Sequence, residues 1–264
     1  MRKTLIDLLQ LAFKTSKKQQ ESQDVFCDIT EHKESEKTAL QNFEQEHQHR
    51  IEQTQFMAML AHELKTPLSV IRMTMDSKST SPDLLSHARQ AVIDINNIID
   101  RCLLSEKLAD DQIQATRYDY SLNYILNNIL SGFCQNSNMS ERFIIHVETS
   151  FNIQTDEQLL NTILMNLIDN AVKYSPPKSP IQIHIGTDTN TNSIAIAIQN
   201  LVGKASYPDE EKVFQKYYRH KAAHHKTGSG LGLYLVKAMS NLLGGDIFYT
   251  HDQTSITFKL CLPI

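Results

Sequence analysis

From Phe56 to Met75, apolar residues recur at Met57, Leu60, Ala61, Leu64, Leu68, Ile71 and Met75 in steps of three and four, which predicts one helix with a narrow apolar stripe. At about 100° per residue, His62 projects from the side opposite that stripe, with Glu63 beside it and Thr66 one turn along on nearly the same face. Pro67 removes the amide that would bond the carbonyl of Glu63, so the helix is expected to bend or loosen there. Residues 76–83 are turn chemistry, with Ser81 or Asp83 as a cap and Pro82 near a helix start. A second stripe follows in Leu85, Ala88, Val92, Ile95, Ile99 and Cys102, widened by Leu84, Ala91 and Ile98. Two such helices with a short connection make an antiparallel hairpin. Their apolar surface exceeds what two helices can bury, which predicts a homodimeric four-helix bundle. Upstream, residues 1–50 carry neither Pro nor Gly. An imperfect seam of Leu40, Phe43, His47, Ile51 and Thr54 suggests a helical or coiled-coil linker.

After Asp110 and Asp111 the pattern changes, so the expected organisation is a linker over 1–50, a hairpin over 51–111 and a second domain over 112–264. In that domain Tyr118–Tyr120, Phe143–Val147 and Asn152–Gln154 read as short strands, with a helix capped by Ser121 running through Ser131. Asp156 caps a long helix that ends near Tyr174, before Ser175-Pro176-Pro177. Ile181, Ile183 and Ile185 alternate with polar residues, as do Ile194, Ile196 and Ile198. A further helix over about 231–243 ends at Gly244-Gly245, and strands over 246–250 and 255–260 close the chain. Helices interleaved with mainly antiparallel strands, without βαβ regularity, predict an α+β fold: a helical hairpin followed by an α/β sandwich.

Composition narrows the function. A formal charge of −4 argues against nucleic acid as the main partner. The four cysteines, Cys27, Cys102, Cys134 and Cys261, show no paired spacing, so neither a disulfide framework nor a zinc site is expected and a reducing cytoplasm fits best. No run approaches the ~18 apolar residues of a membrane span. Membrane contact would come only through a longer receptor or a partner.

Two features carry chemistry. Asn166, Asn170 and Lys173 share one helix face through i+4 and i+3 spacing; two carboxamides and an ammonium suit a phosphate with a hard cation such as Mg²⁺. A solvated polar face is the plainer alternative. Gly228-Ser-Gly230-Leu231-Gly232 opens the last helix, where bare amides and the positive dipole end attract an anion. The spacing fits neither a P-loop nor a Rossmann turn. Between them, Phe214 to Arg219 and the basic run to Lys226 read as a lid or an ordinary loop.

Taken together, these residues resemble a sensor histidine kinase of a two-component system over residues 51–264. His62-Glu-Leu-Lys-Thr-Pro67 is similar to that family's phosphoacceptor box, Asn166 to Tyr174 to its asparagine box, Gly228 to Gly232 to its second glycine box, and Phe214 with Tyr217–Arg219 to its phenylalanine box. The resemblance implies a dimerisation hairpin joined to an ATPase domain of the kind found in gyrase and MutL. It also implies that His62 takes the γ-phosphoryl group of ATP while Glu63 orients the ring and accepts its proton. Asn170 would ligate Mg²⁺ with help from Asn166, Lys173 and Tyr174 would contact the nucleotide, and Gly228, Gly230, Leu231 and Gly232 would hold its phosphates. Thr66 would position water for a phosphatase reaction, and the partner would be a response-regulator receiver domain. One departure stands out: Asn200 occupies the adenine-reading aspartate of the first glycine box, and Val202 and Lys204 occupy its glycine positions. The alternative is therefore a pseudokinase scaffold, or mainly a phosphatase, with weakened ATP binding.

Overall fold

The computed structural model describes residues 2–77, 81–134, 139–149, 151–188, 193–203, 206–220 and 228–264, with side chains from residue 37 onward except at 48 and 49. Lys204, Lys226, Thr227, the middle of the 76–83 turn and the side chain of Cys27 lie outside these residues. The chain divides into two compact units, Met1–Met57 and Ala58–Ile264. Helix α1, Arg2–Asp76, runs without a break through Pro67. Within the first unit, Leu40, Phe43 and Ile51 of the predicted seam are all exposed, so among the described side chains no apolar seam is buried within this chain.

In the second unit the hairpin turns at Ser81, whose Oγ accepts the Leu84 amide and caps α2, Pro82–Ala109. The stripes divide differently from expectation. Leu60, Leu64 and Ile71 are half-buried, but Met57, Ala61, Leu68 and Met75 are exposed, Met75 at 79%. The side of α1 that covers itself is instead Glu63, Pro67, Val70 and Thr74. On α2, Ala91, Cys102 and Ser105 are buried while Leu85, Val92 and Ile99 stay exposed. Two apolar faces thus remain uncovered within one chain, as a hairpin that needs more helices would leave them.

Past the hairpin, a small antiparallel pair joins β1 (Tyr118–Ser121) to β3 (Asn152–Thr155), and α3 (Leu122–Cys134) follows β1 directly. Ser121 ends the strand and directly precedes α3. The Leu122 amide is taken by the Phe151 carbonyl, and the helix runs three residues past Ser131. The main sheet has the order β2-β4-β5-β7-β6, with β2 Phe143–Val147, β4 Ile181–Asp188, β5 Ser193–Leu201, β6 Asp246–His251 and β7 Ser255–Pro263. Only β2–β4 is parallel.

The alternating isoleucines all point to one face. Ile183 lies opposite Ile198, and Ile198 opposite Phe258. Against that face sit α4 (Glu157–Tyr174) and α5 (Gly232–Leu242), burying Leu160, Ile163, Leu164, Leu167, Leu235, Val236 and Met239. Truncating one such leucine costs about 2–5 kcal/mol. Asp156 caps α4 by accepting the Gln158 and Leu159 amides through Oδ1, while its Oδ2 accepts the Thr116 amide. One side chain therefore starts the helix and ties the incoming chain to it.

Candidate nucleotide and phosphoacceptor site

The polar side of α4 forms one wall of a cavity of about 130 Å³, lined by Asn166, Asn170, Lys173, Tyr174, Asn200, Gly228 and Gly230 among others. Sequence spacing placed three of these on one face, and the fold gathers the rest. Asn166 donates from Nδ2 to the Thr162 carbonyl at 2.8 Å, which leaves Oδ1 directed at the start of α5: a Cβ on Gly232 would sit 3.0 Å from it. Lys173 Nζ lies over Gly228, 2.7 Å from where a Cβ would be. Burial holds the Lys173 ammonium below the usual lysine range, opposed mainly by Asp169, and burial likewise raises the Tyr174 phenol.

Gly230 adopts φ +70° with the Tyr217 and Tyr218 carbonyls within 2.9 Å of its would-be Cβ, a conformation and a clearance that only glycine meets. The Tyr217 amide donates to the Gly230 carbonyl, so phenylalanine-box and glycine-box residues are stitched together. Leu231 is fully buried beneath them. Phe214 meets Phe258 edge-on, and Phe258 with Ile256, Pro208 and Val213 gives the cavity its apolar end.

At that end Asn200 is buried on β5 and donates from Nδ2 to the Leu201 carbonyl at 2.8 Å. Its Oδ1 is then the acceptor left for a ligand. Counting along the strand gave no glycine at the expected places, yet the structure uses Gly203. A Cβ there would lie 2.1 Å from the Tyr174 carbonyl, so the turn after β5 crosses the end of α4 on a glycine one residue off the family's spacing.

The hairpin approaches this site through Glu63, whose side chain is 8% exposed while that of His62 is 63% exposed. Glu63 Oε1 accepts the Gly228 amide at 3.0 Å, lies 3.5 Å from His62 Nδ1 and 3.9 Å from an Arg219 Nη1. Thr66 and Glu63 line a second cavity of about 660 Å³ between α1 and α2, which Asp169, Lys173 and Gly228 of the sheet domain close. His62 itself lines neither cavity. The 206–220 segment meets the hairpin where Lys216 Nζ donates to Glu106 Oε1 at 2.8 Å. Burial works against the Lys216 charge, but that hydrogen bond and its neighbours leave it above its ordinary value. Sequence reasoning named Glu63 but missed its docking on Gly228 and Arg219, and it missed the parts of Gly203 and Asp169, because pairings across the fold leave no local pattern. Cys102 and Cys261 are buried and free, and burial raises both thiols. Among the described residues no helix is long and apolar enough to cross a membrane.

Residues 52–110 match the His Kinase A (phospho-acceptor) domain, and residues 155–264 match the histidine kinase-, DNA gyrase B-, and HSP90-like ATPase family. The sensor histidine kinase HprS of Escherichia coli is 32% identical over 218 residues, covering 80% of this chain and 47% of that protein. The chain therefore spans about half the length of that relative. Among solved structures, the histidine kinase AdeS of Acinetobacter baumannii superimposes with a TM-score of 0.61 at 17% identity, covering 76% of this chain and 97% of that one. Full-length ShkA, solved in complex with AMPPNP, gives 0.57 at 19% identity over 78% of this chain and 45% of its own. At those identities the superpositions establish the fold alone. With both family domains present in order, and the phosphoacceptor motif docked on the glycine turn of the ATPase domain, this chain belongs to the two-component sensor histidine kinases.

Proposed function

We propose that this chain autophosphorylates on His62 from ATP and passes the phosphoryl group to an aspartate carboxylate of a response-regulator receiver domain. The observation that carries the reading is the hydrogen bond from the Gly228 amide to Glu63: the carboxylate next to the acceptor histidine rests on the anion-binding turn. Adenine would enter the apolar end beside Phe258 and Ile256, its amino group donating to Asn200 Oδ1. A cavity of about 130 Å³ is below the ~300 Å³ typical of ligand pockets. The phosphates would therefore run past Gly228 into the larger cavity.

In the transfer, the Nε2 lone pair of His62 attacks the γ-phosphorus, and the bond from that phosphorus to the β,γ-bridging oxygen breaks. ADP leaves with those electrons, and the ring proton on Nδ1 passes to Glu63. Asn170 and Asn166 Oδ1 offer the neutral oxygens that suit Mg²⁺, which when bound supplies charge neutralisation to the phosphates. Thr66, exposed one turn from His62, would position the water that attacks the receiver's aspartyl phosphate, releasing inorganic phosphate and the free carboxylate in a separate phosphatase reaction. The domain division follows: hairpin over 51–111, ATPase over 112–264, working as a homodimer through the uncovered faces of α1 and α2.

Incubation with γ-labelled ATP and Mg²⁺ tests the reading. Label should appear on the wild-type chain in an acid-labile linkage and be absent from His62→Gln. Equal labelling of the variant, or none of the wild type, overturns it.

A further inference from the structure

The two cavities share four wall residues: Arg101, Asp169, Lys173 and Gly228. Among the described residues, Arg101 is the one member of the nucleotide cavity's wall that comes from the hairpin. It stands on α2 three residues past half-buried Ile98 and four before buried Ser105, the side of the helix turned to the ATPase domain. Five residues on, Glu106 Oε1 accepts from Lys216 Nζ at 2.8 Å, a contact between α2 and the 206–220 segment.

Lys173 feels two anions, Asp169 and Glu63, and two cations, Arg219 and Arg101. Arg101 makes no hydrogen bond or ion pair with these residues among the bonds described, and like charges brought together at a cavity wall repel unless an anion lies between them. Resting on the kinase reading, the shared wall is where phosphates leaving the base-binding cavity meet the space lined by Glu63 and Thr66.

We propose that Arg101 is a catalytic residue of the phosphoryl transfer, its guanidinium bonding the terminal phosphate of the nucleotide from the hairpin side. A planar fork suits two phosphate oxygens at once. A guanidinium that reaches the β,γ-bridging oxygen as well as the terminal phosphate stabilises the transition state more than the ground state, because negative charge shifts toward that departing ADP oxygen. Supplied by the hairpin, that guanidinium arrives only when hairpin and ATPase domain are docked.

Calorimetry with ATP, ADP and adenosine, together with labelling rates at saturating ATP, tests this on the full chain. Arg101→Ala should weaken ATP by about tenfold, leave ADP and adenosine within about twofold, and slow labelling by about a hundredfold, the upper range for one hydrogen bond to a charged group. Arg101→Lys should recover part of the affinity and less of the rate, because it keeps charge and loses the fork. Equal losses for ATP and ADP in both variants, or an unchanged labelling rate, overturn the assignment. A wild-type chain that binds no ATP overturns the kinase reading itself, a distinct result. Thermal midpoints of both variants identify a folding defect, and Arg101→Lys then decides the matter alone.

Discussion

At the scale of single residues, the site turns on where one proton or one donor sits. Burial lowers Lys173, so its ammonium is lost at a lower pH than an ordinary lysine's. ATP affinity should be full below that lowered value and fall as pH rises through it. Lys173→Met should bind more weakly with a flat alkaline limb, and calorimetry across the alkaline range checks both. Asn200 commits Nδ2 to Leu201 and offers one uncharged acceptor. Removing it in Asn200→Ala should weaken adenosine by about tenfold, the value of one neutral hydrogen bond; unchanged adenosine binding would place the base elsewhere. The asparagines, Lys173 and the glycines of this site were readable as residues, because helix spacing and glycine clustering are local. Glu63's double contact was not, since its partners lie at Gly228 and Arg219, far along the chain.

Among elements, the strongest signals were the periodic ones. Alternating isoleucines gave β4 and β5, and the i+3, i+4 pattern after Asp156 gave α4, since burial on one face imposes exactly those repeats only where a sheet or helix lies against a core. Pairing order was not legible: nothing in Phe143–Val147 says that it runs parallel beside Ile181–Ile185. The Asp156 cap makes a direct prediction. Asp156→Ala should lower stability by about 1 kcal/mol, read as a shifted urea midpoint with an unchanged slope. Gly203 makes a sharper one. An added methyl would press on the Tyr174 carbonyl, so Gly203→Ala should cost about 1–3 kcal/mol and weaken adenosine by shifting Asn200. An unaltered midpoint would show that the turn yields freely.

For the whole molecule, the expected α+β architecture holds, and the hairpin stripes found a role different from a simple seam. Met75, Leu85, Val92 and Ile99 stay exposed in one chain, whereas Glu63 and Pro67 cover themselves. Local periodicity cannot tell a face that meets the same chain from one that meets a second copy. If the exposed stripe closes a four-helix bundle, Val92→Lys should convert a dimer to a monomer in sedimentation equilibrium while the sheet domain keeps its fold. A wild-type chain monomeric at micromolar concentration would remove that role.

One oxygen of Glu63 stands 3.0 Å from the Gly228 nitrogen and 3.5 Å from the His62 ring. Any phosphate that claims that amide must evict the carboxylate, and in the proposed transfer the evicted group is the base for the ring. Under that proposal, nucleotide binding and readying of the acceptor would be one event. An idle chain keeps its base engaged on the turn, and an isotope-labelled glutamate would report the handover as a changed carboxylate stretch.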